Sequence, residues 1–333
     1  MTVDALPITA EQLWGDTDDV DLWPTARKLI AEQFSGVVVA APEQVAIDLR
    51  RRLPLFMLHA ATLREAAVTS LEDTGVLVAS SLRTGAVLAD LALAPTDAEL
   101  GAPSADDPGD GWAHKPYTTD VRARLGLPWA EDEWLLTVLT RDRVSNRVGV
   151  RLAPSPGVYR DPAVEEFLRG AARDVPPPSP WPVVTPGADL PTFDETPHTP
   201  ALPEGAGIRL QGTRLTVTRP GERAILGGSF RLRVLERERT RDADPFVPAA
   251  IVQLGVVLVG SRYAGPTLLR LRVPAWPVEG AADEVAGRFA LDLLATPQVP
   301  TSAQTYFAYA FAREVMTCPV PMAFVSPDDL PSG

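Results

Sequence analysis

The sequence predicts a β-rich, two-domain protein: a C-terminal antiparallel β-sandwich of Ig-like architecture joined to an N-terminal mixed α+β domain. Three observations carry this expectation. Apolar residues alternate with arginines through the last third, charge is split unevenly along the chain, and a proline-rich segment separates the two parts. The expected bounds are 1–172 for an acidic α+β domain, 173–204 for a strap or linker, and 205–333 for the sandwich.

In the C-terminal part, Phe230, Leu232 and Val234 alternate with Arg231 and Arg233, and Leu269, Leu271 and Val273 with Arg270 and Arg272. A period of two puts apolar residues on one face and arginines on the other. Phe289, Leu291 and Leu293 repeat the pattern, and Ile251–Val259 is almost continuously apolar, as a central strand is. Phe307, Tyr309 and Phe311 share a face. Turn signals at Arg219-Pro220-Gly221, Tyr263–Pro266 and Thr296–Pro300 space seven or eight short strands, which is the spacing of a sandwich.

Between Pro176 and Pro203 ten residues are proline, which rules out helix or central strand there. The segment also carries Trp181, Val183, Val184, Leu190 and Phe193. Such apolar residues suit a strap that packs, rather than a free linker.

In the N-terminal part, helices are expected over Pro24–Phe34 and from Pro42. Leu55–Ala67 fits either helix or strand. Gly75–Leu82 with Ala86–Leu93 reads as one hairpin, and Trp134–Thr140 with Arg147–Leu152 as another that turns at Val144-Ser145-Asn146. No repeat at a fixed period is visible.

The formal charge is −12, with net −10 over 1–172, −4 over 173–204 and +2 over 205–333. An acidic chain with lysine only at Lys28 and Lys115 opposes general nucleic-acid binding. Cys318 is the single cysteine, so no intramolecular disulfide forms. No signal peptide and no membrane span are expected, and a cytoplasmic location follows.

No catalytic or cofactor signature emerges. His59, His114 and His198 are too far apart for a helical zinc motif, and no Gly-x-Ser-x-Gly or phosphate-binding loop occurs. Asp106–Asp110 resembles a calcium loop, but Pro108 takes a ligand position and Tyr117 stands where the closing glutamate belongs. Met316, Cys318 and Met322 form the one soft-ligand trio, suited to Cu(I) or to core packing. No cofactor and no metal are expected.

The arginines remain. Arg231, Arg233, Arg270 and Arg272 project away from the core, and guanidinium forks fit carboxylates. If their strands are neighbours, all four share one face. The expected function is therefore non-catalytic protein binding or assembly, with those four residues meeting an acidic surface of a partner protein or of the chain's own N-terminal half. Two alternatives stand beside it: an enzyme with an Asp/Glu/Arg/Tyr site between the domains, and a soft-metal carrier.

Overall fold

The structure is a computed structural model. It describes residues 36–47, 53–62, 71, 75–93, 98–99, 112–141, 143–154, 183–184, 199–235, 238–240, 248–261 and 266–329. The chain divides into two compact units. One comprises Met1–Thr84, Leu88–Pro180 and Tyr263–Gly265, and the other Gly85–Val87, Trp181–Arg262 and Pro266–Gly333. Among the described residues no helix is long and apolar enough to cross a membrane.

In both units the described residues are mostly strand. The first contains β1 (Gly36–Ala40), β2 (Gln44–Ala46), β3 (Pro54–Thr62), β4 (Gly75–Ser81), all but the first residue of β5 (Val87–Leu91), β6 (Ala98–Glu99), β7 (Trp112–Asp120), the short helix α1 (Val121–Leu125), β8 (Asp132–Thr140), β9 (Arg143–Val144) and β10 (Val148–Ala153). One sheet runs β1-β3-β7-β6, the other β2-β10-β8-β4-β5, with β9 folded back on β8. Apolar, β-branched runs such as Val37-Val38-Val39 and Val76-Leu77-Val78 are buried on both faces, as inner strands are.

The described residues do not confirm the mixed α+β expectation. Among the described residues of the first unit, only those of α1 and Leu71 are helical; the rest are strand, turn and irregular chain. The helix expected from Pro42 is replaced by β2, and Leu55–Ala67 opens as strand. The helix expected over Pro24–Phe34 lies outside the described residues, as does the Asp106–Asp110 loop.

The second unit contains β11 (Val183–Val184), β12 (Gly207–Gly212), β13 (Leu215–Val217), β14 (Ile225–Arg233), β15 (Ala250–Gly260), β16 (Thr267–Val278), β17 (Ala281–Asp292), β18 (Gln304–Ala312), β19 (Val315–Met316) and β20 (Val320–Val325). They form one curled sheet, β12-β14-β17-β16-β15-β18-β20-β13. Strand β16 makes the curl possible. Thr267–Ala275 pairs with β15, and Trp276–Val278 pairs with β17. A single core gathers Phe230 and Leu232 from β14, Phe289 and Leu291 from β17, Val256 from β15, Leu271 from β16, Tyr306 from β18 and Phe324 from β20. Burial of each large side chain contributes roughly 1.5–3 kcal/mol. The sheet is mixed rather than wholly antiparallel, because β13 runs parallel to β20 and β11 parallel to β16. The latter pairing seats Val183 and Val184 of the proline-rich segment against the second unit; Trp181 and Phe193 lie outside the described residues.

A repeat is present after all. Gly36–Ala40 against Phe56–Ala60 becomes Gly207–Gln211 against Gly227–Arg231, a shift of 171 residues. Pro54–Thr62 against Trp112–Asp120 becomes Ile225–Arg233 against Glu284–Asp292, nine facing pairs in each case. β8, β9 and β10 recur as β18, β19 and β20, each 172 residues on. The parallel pairing of β2 with β10 recurs as that of β13 with β20.

Local polar details recur with the strands. Asp120 Oδ1 accepts from the backbone N–H groups of Leu53 (3.2 Å) and Arg122 (3.1 Å), and Asp292 Oδ1 from those of Ala224 (3.2 Å) and Leu294 (3.1 Å). Ser145 Oγ and Thr317 Oγ1 each accept a backbone N–H across a hairpin at 2.9 Å. Arg141 and Arg313 occupy the same left-handed turn position, at φ 50° and 51°.

Candidate functional site

The alternation along β16 fixes the site. Leu269, Leu271, Val273 and Ala275 belong to the core, so Arg270, Arg272, Pro274 and Trp276 lie on the opposite face. Strand geometry sets alternate residues roughly 7 Å apart, so the stripe from Arg270 to Trp276 is about 20 Å long. Arg272 is exposed and Pro274 half-buried. Trp276 is 42% exposed, one of three large apolar side chains so displayed among the described residues.

Arg270 differs from the other three arginines of the sequence-predicted stripe. It is half-buried, and its Nε and Nη2 are shielded from solvent with no hydrogen-bond partner. Desolvation holds its pKa below the ordinary arginine value. Its strand neighbours are Gly255 on β15 and Val183 on β11, neither of which offers a side-chain acceptor.

Arg231 and Arg233 are placed elsewhere. They lie on β14, and β17 stands between β14 and β16, so the four arginines form two pairs rather than one face. Arg231 Nε donates to Glu284 Oε2 at 2.5 Å and its Nη1 to the Glu204 carbonyl at 2.7 Å. Arg233 Nε donates to Asp283 Oδ2 at 3.0 Å. The β14 pair is neutralised within the unit; the β16 pair is not.

Other constellations resolve into structure. Met322 is buried in the core while Cys318 is exposed, so the sulfur trio does not converge. The side chains of His59 and His114 and all of His198 lie outside the described residues. Ser81 Oγ donates to the Asp132 carboxylate (2.9 and 2.8 Å) and accepts from Thr84 N–H and Oγ1–H, both at 2.7 Å. With its proton and lone pairs so engaged, Ser81 fastens a hairpin rather than presenting a nucleophile. Arg122, buried over the Trp129 ring at 3.4 Å, has its pKa lowered to about 10 by desolvation, against the opposing charge of Asp120.

Sequence reasoning missed two features. Trp276 continues the alternation of Arg270 and Arg272 past Pro274, so its placement was available in the pattern. The buried pair Arg313–Glu238, at 2.7 Å, carries no local signal, because its members are 75 residues apart.

The sequence matches no protein-family model, and no curated protein is similar to it at a significant level.

Proposed function

We propose that this chain is a non-catalytic binding or assembly protein that holds a partner protein on the outer face of β16. The carrying observation is the stripe itself: an unpartnered half-buried arginine, an exposed arginine and an exposed tryptophan on one strand. Tryptophan and arginine are the residues that dominate protein–protein hot spots. Both units fit two-layer, Ig-like sandwiches. The order β12-β14-β17-β16 matches an ABED layer, and β15-β18-β20 a CFG layer. In the first unit β1-β3-β7-β6 and β4-β8-β10 follow the same orders. Such sandwiches present surfaces on a rigid frame, a warrant by analogy of fold.

The test is affinity capture from native-host extract with the tagged intact chain. The wild type is expected to retain a stoichiometric protein partner at low salt. The Arg270→Glu/Arg272→Glu variant is expected to lose it, and the Arg231→Glu variant to keep it. Equal retention by all three would overturn the assignment to β16, and no retained partner under any condition would overturn protein binding.

A further inference from the structure

We infer that the partner's contact segment is acidic and extended, and that Arg270 is a reserved carboxylate receptor whose burial destabilises the free protein. The inference rests on the protein-binding reading and specifies the chemistry of the bound segment.

An exposed arginine without a partner is ordinary, because water satisfies it; Arg209 and Arg214 are examples. Arg270 is not ordinary. Two of its three guanidinium nitrogens are closed to water and unbonded. A buried donor left unmade is costly, and a buried cation more so. The fold does not require this residue. Ala92 N–H donates to Gly75 O at 2.8 Å, which sets β5 against β4 with Leu91 facing Val76. Val76 in turn faces Leu139. In the second unit Arg270 faces Gly255, which faces Phe311, the counterpart of Leu139 in the repeat. Leu91 therefore holds the place of Arg270, and the same strand order forms around an aliphatic side chain.

A cation kept at an aliphatic position at a cost in stability is the pattern of a site that sacrifices stability for function. Arg270 stands one alternate step from the exposed Arg272 on the same strand face, so a carboxylate drawn to Arg272 arrives beside it. Bidentate pairing with a carboxylate then satisfies the donors now unmade. The two arginines stand one alternate step apart, about 7 Å, which matches carboxylates at i and i+2 of an extended peptide. Trp276, two steps further, calls for an apolar residue at i+6. The face carries two uncompensated cations and no carboxylate on the β16 stripe, so charge complementarity selects an acidic protein segment.

The probe is a synthetic peptide, acetyl-Glu-Ala-Glu-Ala-Thr-Ala-Leu-amide, with its Glu→Gln version as control, measured by calorimetry against the intact protein. Wild type is expected to bind the acidic peptide with an affinity that falls as salt rises, and to bind the control at least about tenfold more weakly. Arg270→Met is expected to lose at least about tenfold in affinity with an unchanged or raised Tm. Arg209→Gln, on β12, is expected to bind as wild type does. A lowered Tm in Arg270→Met, or unaltered peptide affinity, overturns the inference. Should the Arg270→Glu/Arg272→Glu variant lose a captured host protein while no acidic peptide binds wild type, protein binding at β16 stands and the acidic-segment inference falls.

Discussion

Replacing Arg313 by alanine is expected to destabilise the second unit by about 3–5 kcal/mol, among the largest losses for any single change outside the apolar core. The pair it breaks is almost fully enclosed. The Arg313 and Glu238 side chains are 5% and 7% exposed. Arg313 Nη2 donates to Glu238 Oε2 at 2.7 Å, and its Nη1 to the Arg233 carbonyl at 2.7 Å. Glu238 Oε2 also accepts from Leu235 N–H at 3.0 Å. Removing the arginine leaves a buried carboxylate with one backbone donor. Arg313 also sits at φ 51°, where a side chain with a Cβ is strained, so alanine gains nothing from the backbone. Glu238→Leu is expected to cost a similar amount, by removing the carboxylate that neutralises the buried guanidinium. The double change Arg313→Met/Glu238→Leu is expected to cost less than either single, since no buried charge is then unpaired. Calorimetric melting of the four proteins checks this; additive losses in the double variant would show that the two residues do not act as a pair.

A second large effect is expected at Gly228. In the β14–β17 ladder Gly228 faces Phe289, and Phe230 faces Gly287. Each phenyl ring lies across the glycine of the neighbouring strand, filling space that a side chain would occupy. A Cβ at Gly228 would fall within the Phe289 ring, and one at Gly287 would come to 2.6 Å from Phe230 Cζ and 2.7 Å from the Pro274 carbonyl oxygen. Gly228→Val is therefore expected to destabilise by roughly 2–3 kcal/mol. Gly149→Ala is the control. Its Cβ would meet only Leu135 Cδ2 at 3.8 Å, an ordinary contact. Its effect is expected to stay within about 0.5 kcal/mol. Urea melts of both variants decide the matter. A Gly228→Val protein as stable as wild type would mean that the ring moves aside at no cost.

The two effects fall in parts of the fold that differed in legibility. Strands β14, β16 and β17 each have one face in the core, so Phe230, Leu271 and Phe289 stand out by alternation. Alternation does not reveal which strands are neighbours. It therefore placed Arg231 and Arg270 outside correctly but left open their separation by β17. Strand β2 is three residues long, too short for any period, and Pro42 before it mimics a helix start. The tight turn at Arg141 lacks the glycine or asparagine that usually marks a positive φ, so the sequence suggested a turn three residues later, at Val144-Ser145-Asn146.

The repeat was hidden for a different reason. Between 112–153 and 284–325 five positions are identical: Asp120/Asp292, Ala123/Ala295, Pro128/Pro300, Arg141/Arg313 and Val148/Val320. Core positions exchange one apolar residue for another, Trp134 for Tyr306 and Leu152 for Phe324, and a fold tolerates such changes when pattern and volume are kept. Both aspartates gather backbone donors at the end of a strand, three on Asp120 and two on Asp292. Where the second copy has Arg270 on β16, the described first copy has Leu91 on β5.

The most direct measurement of the central claim is arginine-directed chemical modification of the intact protein, alone and bound to its captured partner, read by mass spectrometry. The account predicts that Arg272 is modified in the free protein and protected in the complex, while Arg209 and Arg214 react equally in both. Protection of Arg209 or Arg214 with Arg272 unchanged would contradict it, placing the binding surface away from β16.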